Sequence, residues 1–304
     1  LIIPKRVIFA DYDGTIDVSG LREVLSKLTF KECSAAAEES WGFTGVDEFD
    51  ERSDQLMILK DFALMNIRRD YKKIKKTKLS RAWKAEIAKK EKADGIRLDK
   101  VARDELREKV RAEMLKDIDP HEQYIKLALE LSKSRLYVMS SVPADADFAV
   151  SKLNQALSTQ GVSIPFSPEL PPTLEMTLTQ WVATPSAADE FGFEVGEDMQ
   201  LKGQEASSAT LRKQPVETAE VREHLHGGKS VQKVKLRVKE SGVSFQVSSA
   251  LVLSQIDLKP VCKDQLKEER EKHDDVAAAK EAEGLIWLSE LSDLVTRVET
   301  IPVQ

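Results

Sequence analysis

The chain has 304 residues, 41% of them hydrophobic and 32% charged, with a formal net charge of −6; this is the composition of a soluble globular protein with a heavily charged surface and length enough for two or three domains. No window approaches the ~18 apolar residues of a membrane-crossing helix, and the opening "LIIPKRVIF" is too short an apolar run for a secretion signal. Two cysteines, Cys33 and Cys262, with no CxxC or Cys/His cluster, exclude a disulfide framework and a structural zinc and make a reducing cytoplasm the expected compartment.

The chain opens with an apolar strand, Val7 to Ala10, that runs into Asp11-Tyr12-Asp13-Gly14-Thr15. A helix is expected next, capped by Ser19, with Leu21, Val24, Leu25 and Leu28 at helical spacing. "GVDEFDERSDQLMILKDFALMNI" reads as a turn and two strands that bend near Asp61. Residues 68–90 carry eleven Lys/Arg against Asp70 and Glu86, a local charge of +9 that leaves −15 for the remainder. Such a run is either a solvated face balanced by acidic neighbours or a phosphate-attracting surface. From about Arg68 to Lys116 the pattern predicts two long charged helices, broken at Gly95, the second capped by Asp99 with Val101, Leu106, Val110 and Met114 on one side.

"SRLYVMSSV" returns as a strand and "DADFAVSKLNQAL" as a helix. The four prolines of "SIPFSPELPPTLEM" suit an extended crossing, and "TLTQWV" a short strand or the entry to a helix. Pro215 prevents one continuous helix in "LRKQPVETAEVREHLHGGK"; Thr218 can cap a short one, and Gly227-Gly228 ends it. The period then becomes two. Val234, Leu236 and Val238 alternate with Lys233, Lys235, Arg237 and Lys239, a half-buried antiparallel strand with a cationic outer face that turns at Ser241-Gly242 into "VSFQV". "EGLIWLSELSDLVTRV" closes the chain as a long helix or a strand and helix, and no internal repeat is present.

Asp11 and Asp13, two residues apart after a buried strand, match the first motif of the haloacid-dehalogenase-like phosphatases, which hold Mg²⁺ between such carboxylates. Ser140 or Ser141 and Lys152 are available for the second and third motifs. The required later acidic pair is not: Glu197-Asp198 follows a poor strand, and Asp274-Asp275 falls in a charged helical stretch. The alternating pattern over 231–258 argues for antiparallel pairing, whereas that fold needs a parallel sheet. Asp-Gly is also an ordinary turn pair. His224 and His226 are surface residues on this reading, since two-residue spacing on a helix separates their faces. Trp41, Trp83, Trp181 and Trp287 are expected as core or interface anchors.

In its second half the sequence resembles the bacterial RdgC family of recombination-associated proteins. The matching run is "LEMTLTQWV…SAADEFGF", "LRKQPVETAEVREHLHGGKSVQKVKL", "GVSFQVSSALVLSQIDLKPVCKDQL" and "EGLIWLSELSDLV". "LREVLSKLTFKECS…ESWGF" and "LSRAWKAEIAKKEKADGIRLDKVARDELREKV" fit the same family more loosely, so the resemblance spans nearly the whole chain in order. It implies an α+β fold of antiparallel sheets and helices in several domains: a central region of 1–67 with 119–170, a helical insertion of 68–118, a finger of 171–228 and a C-terminal region of 229–304. It further implies a ring-shaped homodimer around double-stranded DNA, with single-stranded DNA a second candidate ligand. No catalytic residue or cofactor is implied. The family restrains the RecA recombinase by occupying DNA, which places it in the cytoplasm on the nucleoid.

Three basic groups are the candidate DNA contacts. Arg212, Lys213 and Gln214 fall on the family's finger-like Lys-Lys-Gln segment. Lys229, Lys233 and Lys235 would form a ladder along one strand face at roughly 6.5–7 Å spacing. Lys72, Lys73, Lys75, Lys76, Lys78 and Arg81 form the third, spread around more than one helical face. Phosphate contacts of this kind give sequence-independent affinity that falls with salt. The family's aromatic segment before its central strand is missing from "LKDIDPHEQYIKLAL", where Tyr124 is the candidate replacement in the dimer contact.

Overall fold

The computed structural model describes residues 4–46, 54–166, 173–204, 207–273 and 275–303. In chain order the first half contains β1 (Arg6–Asp11), α1 (Val18–Lys27), β2 (Glu39–Thr44), β3 (Met57–Leu59), β4 (Phe62–Tyr71), α2 (Lys76–Asp94), α3 (Lys100–Lys116), β5 (His121–Glu130), β6 (Arg135–Val138) and α4 (Pro143–Leu157). The second half contains α5 (Glu175–Ala183), α6 (Ser186–Asp189), β7 (Phe193–Lys202), β8 (Ser208–Leu211), α7 (Ala219–His226), β9 (Ser230–Val238), β10 (Ser244–Ser248), β11 (Leu253–Asp257), α8 (Lys259–Lys272) and α9 (Val276–Val298). The fold is α+β, and every pairing between these strands is antiparallel.

The strands follow the order β2-β4-β5-β6-β1-β11-β10-β9-β7-β8, with β3 also on β4. Strand β1 joins two sheets. Its first residues, Arg6 and Val7, pair with Ser254 and Leu253 of β11, and Ile8 to Asp11 pair with Val138 to Arg135 of β6. Because successive side chains alternate, Val7 and Phe9 enter one core while Ile8 and Ala10 enter another. The first core lies between the β7–β11 sheet, α5 and α9, and reaches Leu64, Ala128 and Tyr137. The second lies under α1 and α4 on the opposite face of β4, β5 and β6.

Local signals account for most helix ends, with two changes. Thr218 stands at the start of α7, but its hydroxyl donates back to the Pro215 carbonyl at 3.0 Å and caps no helix amide. Asp17, rather than Ser19, caps α1, its carboxylate accepting the amides of Ser19 and Gly20 at 3.0 Å. Gly95, at φ 66°, ends α2, and Asp99 caps α3 by accepting the Ala102 amide at 2.8 Å. The Asp13-Gly14 turn, Asp61 at the β3–β4 bend and the long terminal helix match expectation. "TLTQWV" is helical, within α5. Part of the proline-rich crossing, residues 167–172, lies outside the described residues.

The predicted helical insertion starts too early. Residues 68–71 complete β4, whose Arg68 to Tyr71 pair with Gly42 to Glu39 on one side and Tyr124 to His121 on the other. Charge alone does not select a helix; here the strand is held by its two neighbours and by the Arg68 guanidinium. That group lies 2.9 Å from Asp70, 3.1 Å from Glu122 and 4.5 Å from the Phe30 ring centroid. The helices begin at Lys76 and pack on each other, with the Trp83 indole donating to the Arg103 carbonyl at 2.9 Å.

Helix α9 is fastened to the first sheet by buried polar groups. Glu130, 4% exposed, accepts the Tyr137 hydroxyl at 2.5 Å and the Ser292 hydroxyl at 2.8 Å. The Lys133 ammonium stands 3.4 Å from the same carboxylate and donates to Ser292 at 2.6 Å. Burial and the neighbouring carboxylate push the Tyr137 phenol well above its usual range, so it stays a donor. Arg135 donates to Asp11 at 2.6 Å and to Glu299 at 2.5 Å. Glu130→Ala strands two buried hydroxyls, each costing about 1–3 kcal/mol. Urea unfolding is therefore expected to show a loss of about 2–6 kcal/mol, with Glu130→Gln, which keeps an acceptor, losing less.

Candidate nucleic-acid interface

Strand β9 follows its two-residue period from Lys233 to Val238. Val234, Leu236 and Val238 are buried, while Lys233, Lys235 and Arg237 face away from the core. The period fails just upstream. Leu201 of β7 pairs with Val231 and Gln200 with Lys233, so Gln232 is an extra residue in β9. This bulge turns Val231 into the core. Lys229 therefore leaves the predicted ladder; its stem lies over Gly203 and its ammonium is 3.1 Å from His224 Nδ1.

Neighbouring strands extend the remaining cations into transverse rows. Lys233 lies between Gln200 of β7 and Ser248 of β10. Lys235 lies opposite Gln246, which lies opposite Ser254, which pairs with Arg6. Arg6 is exposed and on the same outward face, a candidate that no local pattern marks because the β1–β11 pairing puts it there.

The 212–214 loop overhangs these rows at the β8 end. Lys213 is in the left-handed region at φ 53°. Its amide donates to Asp198 Oδ1 at 3.0 Å, and the Gln214 amide to the Glu197 carbonyl at 3.0 Å. The Gln214 side chain donates to Thr218 Oγ1 at 3.1 Å, so it is a brace of the loop. Arg212 and Lys213 are exposed. With Lys233, Gln200, Gln246 and Gln255 they line a cleft of about 620 Å³. Among the described residues no carboxylate forms an ion pair with Arg212, Lys213 or Lys233, whereas Lys235 is 3.9 Å from Asp198 and Arg237 3.9 Å from Glu194.

The third group divides. Lys72 spends its ammonium on the carbonyls of Ser34, Ala35 and Leu115 at 3.2, 2.9 and 3.0 Å, a brace between β4, the segment after α1 and the end of α3. Lys73 lies over the Tyr71 ring at 4.9 Å, and Lys75 precedes the first turn of α2. Lys76, Lys78 and Arg81 are exposed on α2. Since Leu79, Trp83 and Ile87 form the half-buried seam toward α3, the opposite arc presents Lys78, Arg81, Lys84, Lys89 and Lys92. At 1.5 Å per residue that stripe is about 21 Å long. Lys84, Lys89 and Lys92 belong to it, and only the helix's orientation on α3 shows this. The stripe and the 212–214 loop belong to different halves of the strand order: α2 and α3 connect β4 to β5, and the loop follows β8, seven strand steps from β5.

The residues of the phosphatase reading are dispersed. Asp11 is engaged by Arg135, Ser140 donates to Asp145 at 3.0 Å, and Lys152 lies over the Trp41 ring at 4.4 Å. Asp275 caps α9, and Asp274 lies outside the described residues. Strand β1 has antiparallel neighbours on both sides, where that fold requires parallel ones. Among the described residues no three of His, Cys, Asp and Glu group to hold a metal, and no helix is long and apolar enough to cross a membrane. Cys33 and Cys262 are unpaired, and burial pushes the Cys262 thiol up to about 12.

The model of a family described as "Putative exonuclease, RdgC" matches residues 7–301. A relative from Sodalis glossinidius is 23% identical, with 93% of this chain and 90% of the relative covered. One from Neisseria meningitidis is 24% identical over 90% and 87%, and one from Shewanella piezotolerans 23% identical over 80% and 78%. Each of these relatives is named recombination-associated protein RdgC. With a match that runs almost end to end and an α+β architecture throughout, the chain belongs to the RdgC family.

Proposed function

We propose that this chain binds DNA without regard to sequence and thereby modulates homologous recombination. The observation that carries the reading is the cleft where Arg212, Lys213 and Lys233, none of them ion-paired among the described residues, stand with glutamine, serine and threonine side chains and a single carboxylate, Asp198. Ammonium, guanidinium, amide and hydroxyl donors suit phosphate oxygens. The outward rows of β9, β10 and β11 present no aromatic ring on which an unpaired base could stack, which favours the duplex backbone over single strands.

The separation of the α2 stripe from the 212–214 loop supports a homodimer, in which a second copy completes a ring-like cationic lining around the duplex. Occupancy of the duplex on the nucleoid would then restrain RecA, in keeping with the relatives' name. The exonuclease wording of the family description supplies a second reading, hydrolysis of DNA ends. Mg²⁺-dependent shortening of an end-labelled duplex by the purified chain would establish it, and an unchanged duplex is expected.

Affinity for a random-sequence duplex is expected to fall by several log units per log unit of salt. Lys213→Ala with Lys233→Ala should weaken binding and make the slope shallower by about 1.8, at 0.9 per phosphate contact. Salt-insensitive binding, or none, overturns the proposal, and capture of a protein partner unaffected by nuclease and by these changes would replace it. Lys72→Met is expected to behave differently. Three carbonyls lose a donor, so stability drops by about 1–3 kcal/mol while the salt slope stays at the wild-type value, as thermal melts and titrations would show.

A further inference from the structure

Between Val195 and Met199 strand β7 has three residues where β9 has one: Gly196, Glu197 and Asp198 stand opposite Lys235. The bulge requires a close approach, since a Cβ at Gly196 would meet the Lys235 carbonyl oxygen at 3.1 Å and its Cβ at 3.2 Å. Its effect is to turn two acceptors toward the 212–214 loop. The Glu197 carbonyl takes the Gln214 amide and the Asp198 carboxylate takes the Lys213 amide, both at 3.0 Å. These two bonds hold Lys213 in a backbone conformation that lysine rarely adopts. The other Asp198 oxygen, Oδ2, is 3.9 Å from the Lys235 ammonium. Asp198 and Lys213 line both the cleft of about 620 Å³ and an adjoining one of about 680 Å³ that contains Lys235 and Arg237.

We propose that Asp198 is the positioning residue of this interface, fixing where the Lys213 side chain projects while holding the cationic row below its full charge. The inference rests on the reading of this face as a DNA-binding surface. A carboxylate inside a phosphate-binding face opposes binding, and a neutral amide could accept the same backbone hydrogen bond. Aspartate at this point therefore combines loop placement with weakened affinity, a combination suited to a protein that must leave or move along the DNA it occupies.

Two substitutions separate the two effects. Asp198→Asn keeps an oxygen acceptor and removes the charge; Asp198→Ala removes both. The Asn variant is expected to bind a random-sequence duplex roughly two- to five-fold more tightly than wild type at low salt, the range for an exposed charge pair. In the free protein, the Ala variant is expected to exchange its Lys213 amide about ten-fold faster, as for the loss of one hydrogen bond, with protection retained in the Asn variant. Equal duplex affinity of wild type and Asn variant refutes the charge effect. Equal Lys213 exchange in wild type and Ala variant refutes the positioning. Because exchange is read without DNA, a wild-type chain that binds no duplex would remove the functional reading and the charge effect with it, while the exchange comparison still decides the positioning.

Discussion

The backbone of β1 is shared between two sheets, and the rest of the architecture depends on that sharing. Six residues supply hydrogen bonds to β11 at one end and β6 at the other. Its alternating side chains commit Val7 and Phe9 to the core beneath α9, and Ile8 and Ala10 to the core beneath α1 and α4. Slipping β1 by one residue would exchange these two sets, placing side chains shaped for one core in the other. The polar ties from Glu130 and Arg135 to α9 act at the same seam, where apolar packing alone would let the helix slide.

The outward face of the β7–β11 sheet follows from that arrangement. With α5 and α9 covering one side, the other is left to Lys233, Lys235, Gln246, Ser254 and Arg6. No single strand creates the rows. Antiparallel register sets Lys233 and Lys235 beside uncharged donors of β10, while Asp198 stands 3.9 Å from Lys235 and Glu194 3.9 Å from Arg237, so that among the described residues Lys233 keeps no carboxylate partner. The two bulges act in opposite senses. The extra residue at Gln232 withdraws Lys229 from the face, and the extra residues at 196–198 bring Asp198 and, through it, Lys213 onto it.

What was legible in the sequence was whatever depends on near neighbours. The β9 alternation, the glycine stop and Asp99 cap of the charged helices, and the turn at Asp13-Gly14 all follow from a few adjacent residues. Strand β4 beyond Ile67 was not, because Arg68 and Asp70 become strand residues only when β2 and β5 flank them. The same limit applies to the site. Lys213, Lys233 and Lys235 stand out by spacing and resemblance, whereas Arg6 needs the β1–β11 pairing and the fate of Lys72 needs three distant carbonyls. Glu197-Asp198, rejected as a metal-binding pair, takes its place from a bulge that no composition signals.

An acidic chain presenting a cationic face raises the question of which charge an approaching polyanion meets. The opposite side of the same sheet carries a cleft lined by Glu190, Glu240, Glu290 and Asp293 beside Val238, Val243 and Leu294, with Arg297 at 2.9 Å from Glu240 as its cation; burial and Asp293 raise the Glu290 carboxyl above its usual range. On the proposed reading, a polyanion that meets this chain responds to the local rows around Lys233 and Arg212 more than to the net charge of −6. Exposed charges farther off than a Debye length, ~8 Å at physiological salt, contribute little through solvent. As ionic strength falls that length grows, and the carboxylates of the second cleft would then oppose approach from its side.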